Sequence, residues 1–119
     1  MIDLETHKEM AGYILDIFRT QPFVIMSWGL DTKSLRLSSD ETGNYGISFT
    51  VHGFKHKGKV KVLYDPGSDT FVLHLIDGNG AIIKTREDIF LDELVSVIDE
   101  AVEKVENYQE RVHQEYGIS

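Results

Sequence analysis

The sequence predicts an α+β fold in which an N-terminal helix and a long C-terminal helix pack on one face of an antiparallel sheet. Three observations predict this fold: alternating apolar and polar runs over residues 45–76, turn-forming residues between those runs, and apolar residues at helical spacing near both ends. We expect a single domain over residues 1–119, with helices over about 4–20 and 87–113 and strands over about 23–30, 45–53, 58–64, 70–76 and 81–85.

The first helix is predicted from apolar residues three or four positions apart, which lie on one helix face. They are Met10, Tyr13, Ile14, Ile17 and Phe18. Either Asp3 or a capping box formed by Thr6 and Glu9 would satisfy free amides at the helix start. Pro22 disfavours helical geometry in Gln21, so we expect the helix to end at or before that residue.

Residues 23–30 (FVIMSWGL) are apolar on both faces of a strand, and a strand of that kind is usually covered on both sides. We therefore expect a central strand whose second face is closed by a long loop or by a second subunit. Residues 31–44 form a polar connection that contains two apolar residues, Leu35 and Leu37. We interpret this connection as a plain loop or as a short edge strand over residues 34–37.

Alternation in the next three runs predicts which side chains of the sheet point inward. The inward set is Tyr45, Ile47, Phe49, Val51, Val60, Val62, Tyr64, Phe71, Leu73 and Leu75. Turns are predicted at residues 65–69 (DPGSD) and 77–80 (DGNG), where proline, glycine and asparagine suit the backbone angles. We interpret Asp65, Asp69 and Asp77 as turn residues rather than as catalytic or calcium-binding carboxylates.

The last predicted element is a helix of about five to six turns that follows a cap at Thr85 or Asp88. Its apolar stripe comprises Leu91, Leu94, Val95, Ile98, Ala101, Val102, Val105 and Tyr108 or Val112. Glutamate and aspartate fill the opposite face. The solvent side of this helix is therefore predicted to be an acidic ridge.

The composition is that of a globular protein, 41% hydrophobic and 27% charged, and it includes no cysteine for disulfides or thiolate chemistry. We expect no membrane segment and no export signal, and therefore a cytoplasmic protein. The net charge of -8 is uneven, because residues 1–86 hold ten acidic and ten basic residues whereas residues 87–119 hold ten acidic and two basic ones. Such an acidic surface argues against general affinity for nucleic acid.

A basic hairpin is the predicted interaction surface. It comprises Phe54, Lys55, His56, Lys57, Lys59 and Lys61. Lysines on the outer face of a hairpin commonly keep strand edges from pairing with other chains. The same lysines suit an acidic partner protein, including the acidic helix of a second copy. An aromatic residue among lysines would alternatively stack a base and hold phosphates, which makes nucleic-acid binding a second hypothesis.

His52 and His56 are the candidate metal ligands, and His74 is a further histidine on the outer face of the third run. The i, i+4 spacing does not bring two imidazoles together in a strand and loop as it does in a helix, and no nearby carboxylate completes a ligand set. We therefore expect neither a metal nor a cofactor. We also predict no catalytic residues, because no serine lies in a nucleophile-elbow motif and no glycines form a phosphate loop.

These observations lead us to expect a small acidic protein-interaction domain that is not an enzyme and that self-associates or binds a protein partner. The separation of basic hairpin from acidic helix and the apolar surface of residues 23–30 motivate this expectation. A ligand-binding protein or enzyme with a pocket between the helices and the sheet is the third hypothesis. That pocket would be lined by Met10, Tyr13, Phe18, Met26 and Trp28.

Overall fold

A computed structural model describes residues 3–102 of the chain. This part contains a five-stranded antiparallel sheet in which each strand pairs with the next along the chain. The helices are α1 (Leu4–Arg19), α2 (Pro22–Ser27) and α3 (Leu94–Val102), with a 3-10 turn (Leu91–Glu93) before α3. The strands are β1 (Asp31–Ser39), β2 (Tyr45–His52), β3 (Lys57–Asp65), β4 (Thr70–Ile76) and β5 (Ile82–Ile89). The predicted α+β class and antiparallel sheet are confirmed.

Helix α1 begins at one of its two predicted caps. The carboxylate of Asp3 accepts a hydrogen bond from the backbone amide of Thr6 at 2.8 Å. This bond lowers the pKa of Asp3, because it stabilises the charged form. The structure thus places the cap at Asp3 instead of at a capping box of Thr6 and Glu9. The helix ends at Arg19, before Pro22, as predicted.

Helix α1 buries one face and is also tied to the sheet by a histidine. The buried residues are Ala11, Ile14 and Phe18, whereas Tyr13 is 48% exposed. His7 Nε2 lies 2.9 Å from the carbonyl oxygens of both Ser38 and Gly46, so its N–H is shared between β1 and β2. This contact holds the first turns of α1 against the edge of the sheet.

Residues 23–30 do not form the predicted strand. Pro22–Ser27 is a short helix with proline in its first turn, where the fixed φ and the missing amide are both favourable. A continuous apolar run has no periodicity that separates a strand from a helix, so the pattern misled the prediction. Gly29 adopts a φ of +61°, a conformation that favours glycine, and the chain then enters β1.

Strand β1 takes the place of the predicted first strand, but at the edge of the sheet. It spans Asp31–Ser39 and is longer than the short strand expected over residues 34–37. Its pairing with β2 contains an irregularity, at which Ser34 Oγ accepts the backbone amide of Thr50 at 2.7 Å. The number of strands is therefore as predicted, while the identity of the first one is not.

The last strand is longer and the last helix begins later than predicted. Strand β5 runs to Ile89 instead of about residue 85, and α3 begins at Leu94 instead of about residue 87. Pairing with β4 holds the charged second half of β5 in the sheet, with an irregularity at which Asp88 adopts a φ of 56°, because tertiary pairing overrides weak helix propensity. Glu93 accepts the amide of Phe90 at 3.3 Å at the start of the helical segment. The predicted continuation of this helix to residue 113 lies outside the described residues.

One buried cluster joins α1, the sheet and α3. Ile47, Val62 and Leu73 lie side by side on three neighbouring strands, and each is at most 2% exposed. The helices and the segment after α2 add Ala11, Ile14, Phe18, Trp28, Leu94, Val95, Ile98 and Ala101. The inward alternation predicted for β2, β3 and β4 is therefore the alternation that forms the core.

The second face of the sheet is also partly buried. Leu63 and Val72 are cross-strand neighbours on this face and are 0% and 7% exposed. Beside them, Lys61 on β3 and His74 on β4 are cross-strand neighbours, and both side chains are half-buried. This face therefore carries polar groups close to buried apolar ones.

Candidate functional site

The loop between β2 and β3, which begins the predicted basic surface, packs against α3. The backbone amides of Lys55 and His56 donate to the carbonyl oxygen of Val102 at 2.8 and 3.2 Å. The Lys55 ammonium donates to the carbonyl oxygen of Glu100. Two members of the predicted interaction surface are therefore engaged in holding the loop on the helix.

The remaining residues of that surface differ in exposure. His56 is 5% exposed, and its Nε2 donates to the carbonyl oxygen of Lys59 at 3.0 Å. Phe54 and Lys61 are half-buried, whereas the side chains of Lys57 and Lys59 are exposed. The six residues thus do not form one continuous exposed patch.

The candidate metal ligands His52 and His56 are in different environments. His52 is exposed at the end of β2, and its backbone amide donates to the carbonyl oxygen of Trp28 at 2.9 Å. His56 is buried, with Nε2 engaged as described above. Within residues 3–102, no group of three or more histidine, aspartate or glutamate side chains is placed to hold a metal ion.

The aspartates of the predicted turns stabilise those turns. Asp65 Oδ1 accepts the amide of Gly67 at 2.9 Å, and Asp77 Oδ1 accepts two amides of its own turn at 2.9 and 3.0 Å. Asp69 adopts a φ of 57°, and its carboxylate accepts the hydroxyl of Tyr64 at 2.6 Å. This hydrogen bond raises the pKa of Tyr64 to about 12. The structure thus places Asp65, Asp69 and Asp77 in the turns where the sequence predicted them.

A polar cleft of about 430 Å³ lies over the second face of the sheet. Its lining comprises Asp40, Thr42, Asn44, Asp65, Val72, His74, Glu87 and Asp88. Asp40 Oδ1 accepts hydrogen bonds from the amide and hydroxyl of Thr42 at 2.9 and 2.6 Å and from the amide of Asn44 at 3.1 Å. Burial raises the pKa of Asp40, but these hydrogen bonds outweigh it and hold the pKa below its ordinary value. The cleft therefore presents negative charge around one histidine.

Lowering the pH below about 6.5 should destabilise the fold through His74. Burial, and then the nearby charge of Lys61, lower the pKa of His74, while Asp40 and Glu87 oppose this shift. The unfolded chain then binds more protons than the folded one, so the free energy of unfolding falls as the pH falls. Urea denaturation between about pH 5 and 8 should show a shallower pH dependence for His74→Gln than for the wild type. Equal slopes, or an imidazole of His74 that titrates above its ordinary pKa by NMR, would contradict this prediction.

A second cleft, the apolar groove, lies between α1, α2 and β1 and has a volume of about 350 Å³. Its lining comprises Leu15, Phe18, Arg19, Pro22, Ile25, Met26, Leu30, Thr32 and Leu35. Met26 is 73% exposed, and Phe23, which lies three residues before it on α2 and is not among the lining residues, is 84% exposed. Residues three apart are neighbours on a helix surface, so Phe23 extends the exposed apolar surface of Met26 along α2.

The sequence of α2 explains why this surface exists. Successive helical residues point about 100° apart, so an apolar run such as PFVIM cannot turn every side chain inward. Val24 and Ile25 are half-buried, and Phe23 and Met26 are left outside. Trp28 anchors the end of the segment, because its ring is 0% exposed.

Sequence reasoning identified residues 23–30 as apolar surface without enough cover, but it assigned them to a strand. The groove itself was not predicted, because its walls come from three elements separated along the chain. The sequence feature that indicates a helix here is Pro22, because proline is favourable in the first turn of a helix as well as after the end of one.

The fold and the groove together describe an α+β protein with a five-stranded antiparallel meander and an apolar surface at its edge strand. Comparisons of the chain with protein-family models, with curated proteins and with solved structures returned no match. None of the helices in the described part of the chain is long and apolar enough to cross a membrane.

Proposed function

We propose that this chain is a non-enzymatic protein-interaction domain that binds an apolar segment of a partner protein in the apolar groove. The observation that carries the proposal is the 73% exposure of Met26 in the lining of that groove, with Phe23 three residues before it on α2 at 84%. Contiguous apolar surface of this kind typically marks a site of protein association. The proposal takes α1 and α3 to cover one face of the sheet, with α2 and β1 presenting the groove at its edge.

The composition of the groove fits recognition of apolar side chains. Among the described residues, Arg19 is the one charged residue that lines the groove, and depletion of charge is typical of the centre of a protein interface. Full burial of a side chain such as Phe23 or Met26 is worth about 1.5–3 kcal/mol relative to exposure. A partner that covers both side chains would recover much of this free energy, less the cost of association.

Two observations rank the alternatives below this proposal. Nucleic-acid binding through the basic hairpin has less support, because Lys55 is engaged with α3 and His56 is buried. A ligand pocket between helices and sheet has less support, because Trp28 and Phe49 there are each 0% exposed. We also propose a cytoplasmic location. The chain has no cysteine and so forms no disulfides, which is usual for proteins of that compartment.

The variant Phe23→Asp should weaken partner binding by about tenfold or more. The substitution places a charge where the proposal requires an apolar contact, and tenfold corresponds to about 1.4 kcal/mol. Because Phe23 is exposed and lies in the first turn of a helix, aspartate there should leave folding intact. The measurement is quantitative mass spectrometry of proteins recovered with the tagged chain from extracts of its source organism, combined with light scattering to detect self-association.

The matched control is Ile83→Asp, which changes another exposed apolar residue far along the chain on β5. A partner, or a second copy, should be recovered equally with the wild type and with this control. Equal recovery with Phe23→Asp as well would show that binding does not use the groove, and the proposed function would then be wrong.

A further inference from the structure

We infer that the second face of the sheet binds an acidic segment of a partner protein through three lysines of β3, Lys57, Lys59 and Lys61. These three residues are called the lysine row. The inference concerns a second surface and does not depend on the apolar groove, whose lining includes no residue of the row. Three features lead to it: the place of β3 in the sheet, the charge of the row and the donor groups beside it.

The lysine row lies in the middle of the sheet. β3 is the third of five strands and has β2 and β4 on either side. Lysines that prevent unwanted strand pairing belong on edge strands, so that explanation does not apply here. The row alternates with the buried Val60 and Val62, which point to the core, so all three lysines lie on the second face. Lys57 and Lys59 are exposed, and Lys61 is half-buried.

The charge of the lysine row is not neutralised by neighbouring side chains. Within residues 3–102, the three ammonium groups have neither a hydrogen-bond partner nor an ion-pair partner. Asp65, the acidic residue of β3, lies four residues beyond Lys61 and therefore about 13 Å away. Asp31 lies two strands from Lys59, and Asp77 follows β4; both carboxylates accept backbone amides of their own segments. The row therefore presents unpaired positive charge on a chain whose net charge is -8.

Hydrogen-bond donors flank the row on the neighbouring strands. Lys61 lies between Ser48 of β2 and His74 of β4. Ser48 is 7% exposed, and its hydroxyl has no hydrogen-bond partner within residues 3–102. His74 Nδ1 lies 2.9 Å from the hydroxyl oxygen of Thr85, which leaves Nε2 as the ring nitrogen that faces a ligand. A hydroxyl, an ammonium and an imidazole in one cross-strand row complement the oxygens of an anion.

A protein segment that carries carboxylates fits the row better than nucleic acid does. The aromatic residues of the three central strands, Tyr45, Phe49, Tyr64 and Phe71, belong to the inward set, so they do not offer the second face a surface on which bases stack. The net charge of -8 also opposes a long polyanion. By contrast, alternate residues of an extended chain are about 6.6–6.8 Å apart, which equals the spacing of the lysines along β3. Acidic residues at alternate positions therefore match the row one to one.

Two synthetic peptides of about ten residues, long enough in extended form to span the row, test the inference with the full chain by fluorescence anisotropy. One alternates glutamate with serine and the other alternates lysine with serine, and oligothymidylate of the same length is the nucleic-acid probe. The glutamate peptide should bind about tenfold or more tightly than either other probe, and increasing salt should weaken its binding. Bound peptide should also raise the pKa of His74, measured by NMR, because a nearby carboxylate stabilises the imidazolium.

The double variant Lys57→Gln, Lys59→Gln should weaken binding of the glutamate peptide by about tenfold or more. Both side chains are exposed and unpaired within residues 3–102, so the variant should fold. Lys84→Gln is the matched control and should leave binding unchanged. Lys84 is also exposed, but it is the cross-strand neighbour of the inward Leu75 and therefore lies on the opposite face.

The outcomes that would overturn the inference differ from those that bear on the groove. Absence of glutamate-peptide binding at low salt, equal affinity for the lysine peptide, an unchanged pKa of His74, or equal loss in the double variant and in Lys84→Gln would each overturn it. Tighter binding of oligothymidylate, lost in the double variant, would replace the protein partner by nucleic acid. Phe23→Asp should leave the affinity for the glutamate peptide unchanged. If it abolishes that affinity, the peptide binds in the groove, so the inference is wrong and the proposed function stands.

Discussion

Replacement of Trp28 by alanine should lower the free energy of unfolding by about 3–5 kcal/mol, the usual cost of truncating a buried tryptophan. The ring is 0% exposed and packs edge-on against Phe18 of α1 with a centroid distance of 5.5 Å. Its Nε1 donates to the Asp99 carboxylate of α3 at 2.9 Å. One side chain thus joins α1, α3 and the segment that carries the groove, so its loss creates a cavity and leaves Asp99 without this donor.

Urea denaturation followed by far-UV circular dichroism measures this loss, since Trp28 is the only tryptophan and the variant has no indole fluorescence. Trp28→Phe is the comparison variant, because it keeps an aromatic ring while it removes the hydrogen bond and part of the buried ring volume. It should cost about 1–2 kcal/mol. If Trp28→Ala lowers the free energy of unfolding by less than about 1 kcal/mol, the ring does not hold these elements together.

Replacement of Gly53 by alanine should cost about 3 kcal/mol, at the upper end of the usual range for overpacking. A Cβ at this position would lie 2.4 Å from the carbonyl oxygen of Val102 and 2.5 Å from its Cγ1. The same carbonyl oxygen accepts the amides of Lys55 and His56, so the loop cannot move away without breaking those hydrogen bonds. The clash therefore separates the β2–β3 loop from α3.

Gly12→Ala provides the control for this prediction. Gly12 lies in α1, and apart from its chain neighbours and its own helix backbone no atom of residues 3–102 lies within 4 Å of an added Cβ, so alanine there should stabilise the protein by about 0.5–1 kcal/mol through helix propensity. Chemical denaturation of both variants gives the comparison. If Gly53→Ala is as stable as the wild type, the loop does not pack on α3 as described. The argument against the basic hairpin as an exposed interaction surface would then be lost.

Much of the sheet could be predicted because its signals are local. Alternation within each of the three runs between Tyr45 and Leu75 identifies the inward side chains, and the turn residues Asp65 and Asp77 mark where strands reverse. The signals for the start and end of α1 are local in the same sense, since Asp3 and Pro22 act within one turn of the helix.

The wrong assignments share a physical cause, which is that their local signals are ambiguous. A wholly apolar run suits a buried strand as well as a short helix, and the tertiary structure makes residues 22–27 a helix. The charged end of β5 has no strong preference of its own, and pairing with β4 holds it in the sheet. His56 gave no sign of burial, because its environment is supplied by α3, more than forty residues away along the chain.

The sequence by itself determined the α+β class, the antiparallel meander and the inward face of its central strands, because these depend on periodicity within single elements. The tertiary structure alone decided that Lys55 and His56 serve the loop's packing on α3 and that α1, α2 and β1 enclose an apolar groove. The physical reason is that a pattern states which side of an element avoids water, whereas a site depends on which elements become neighbours.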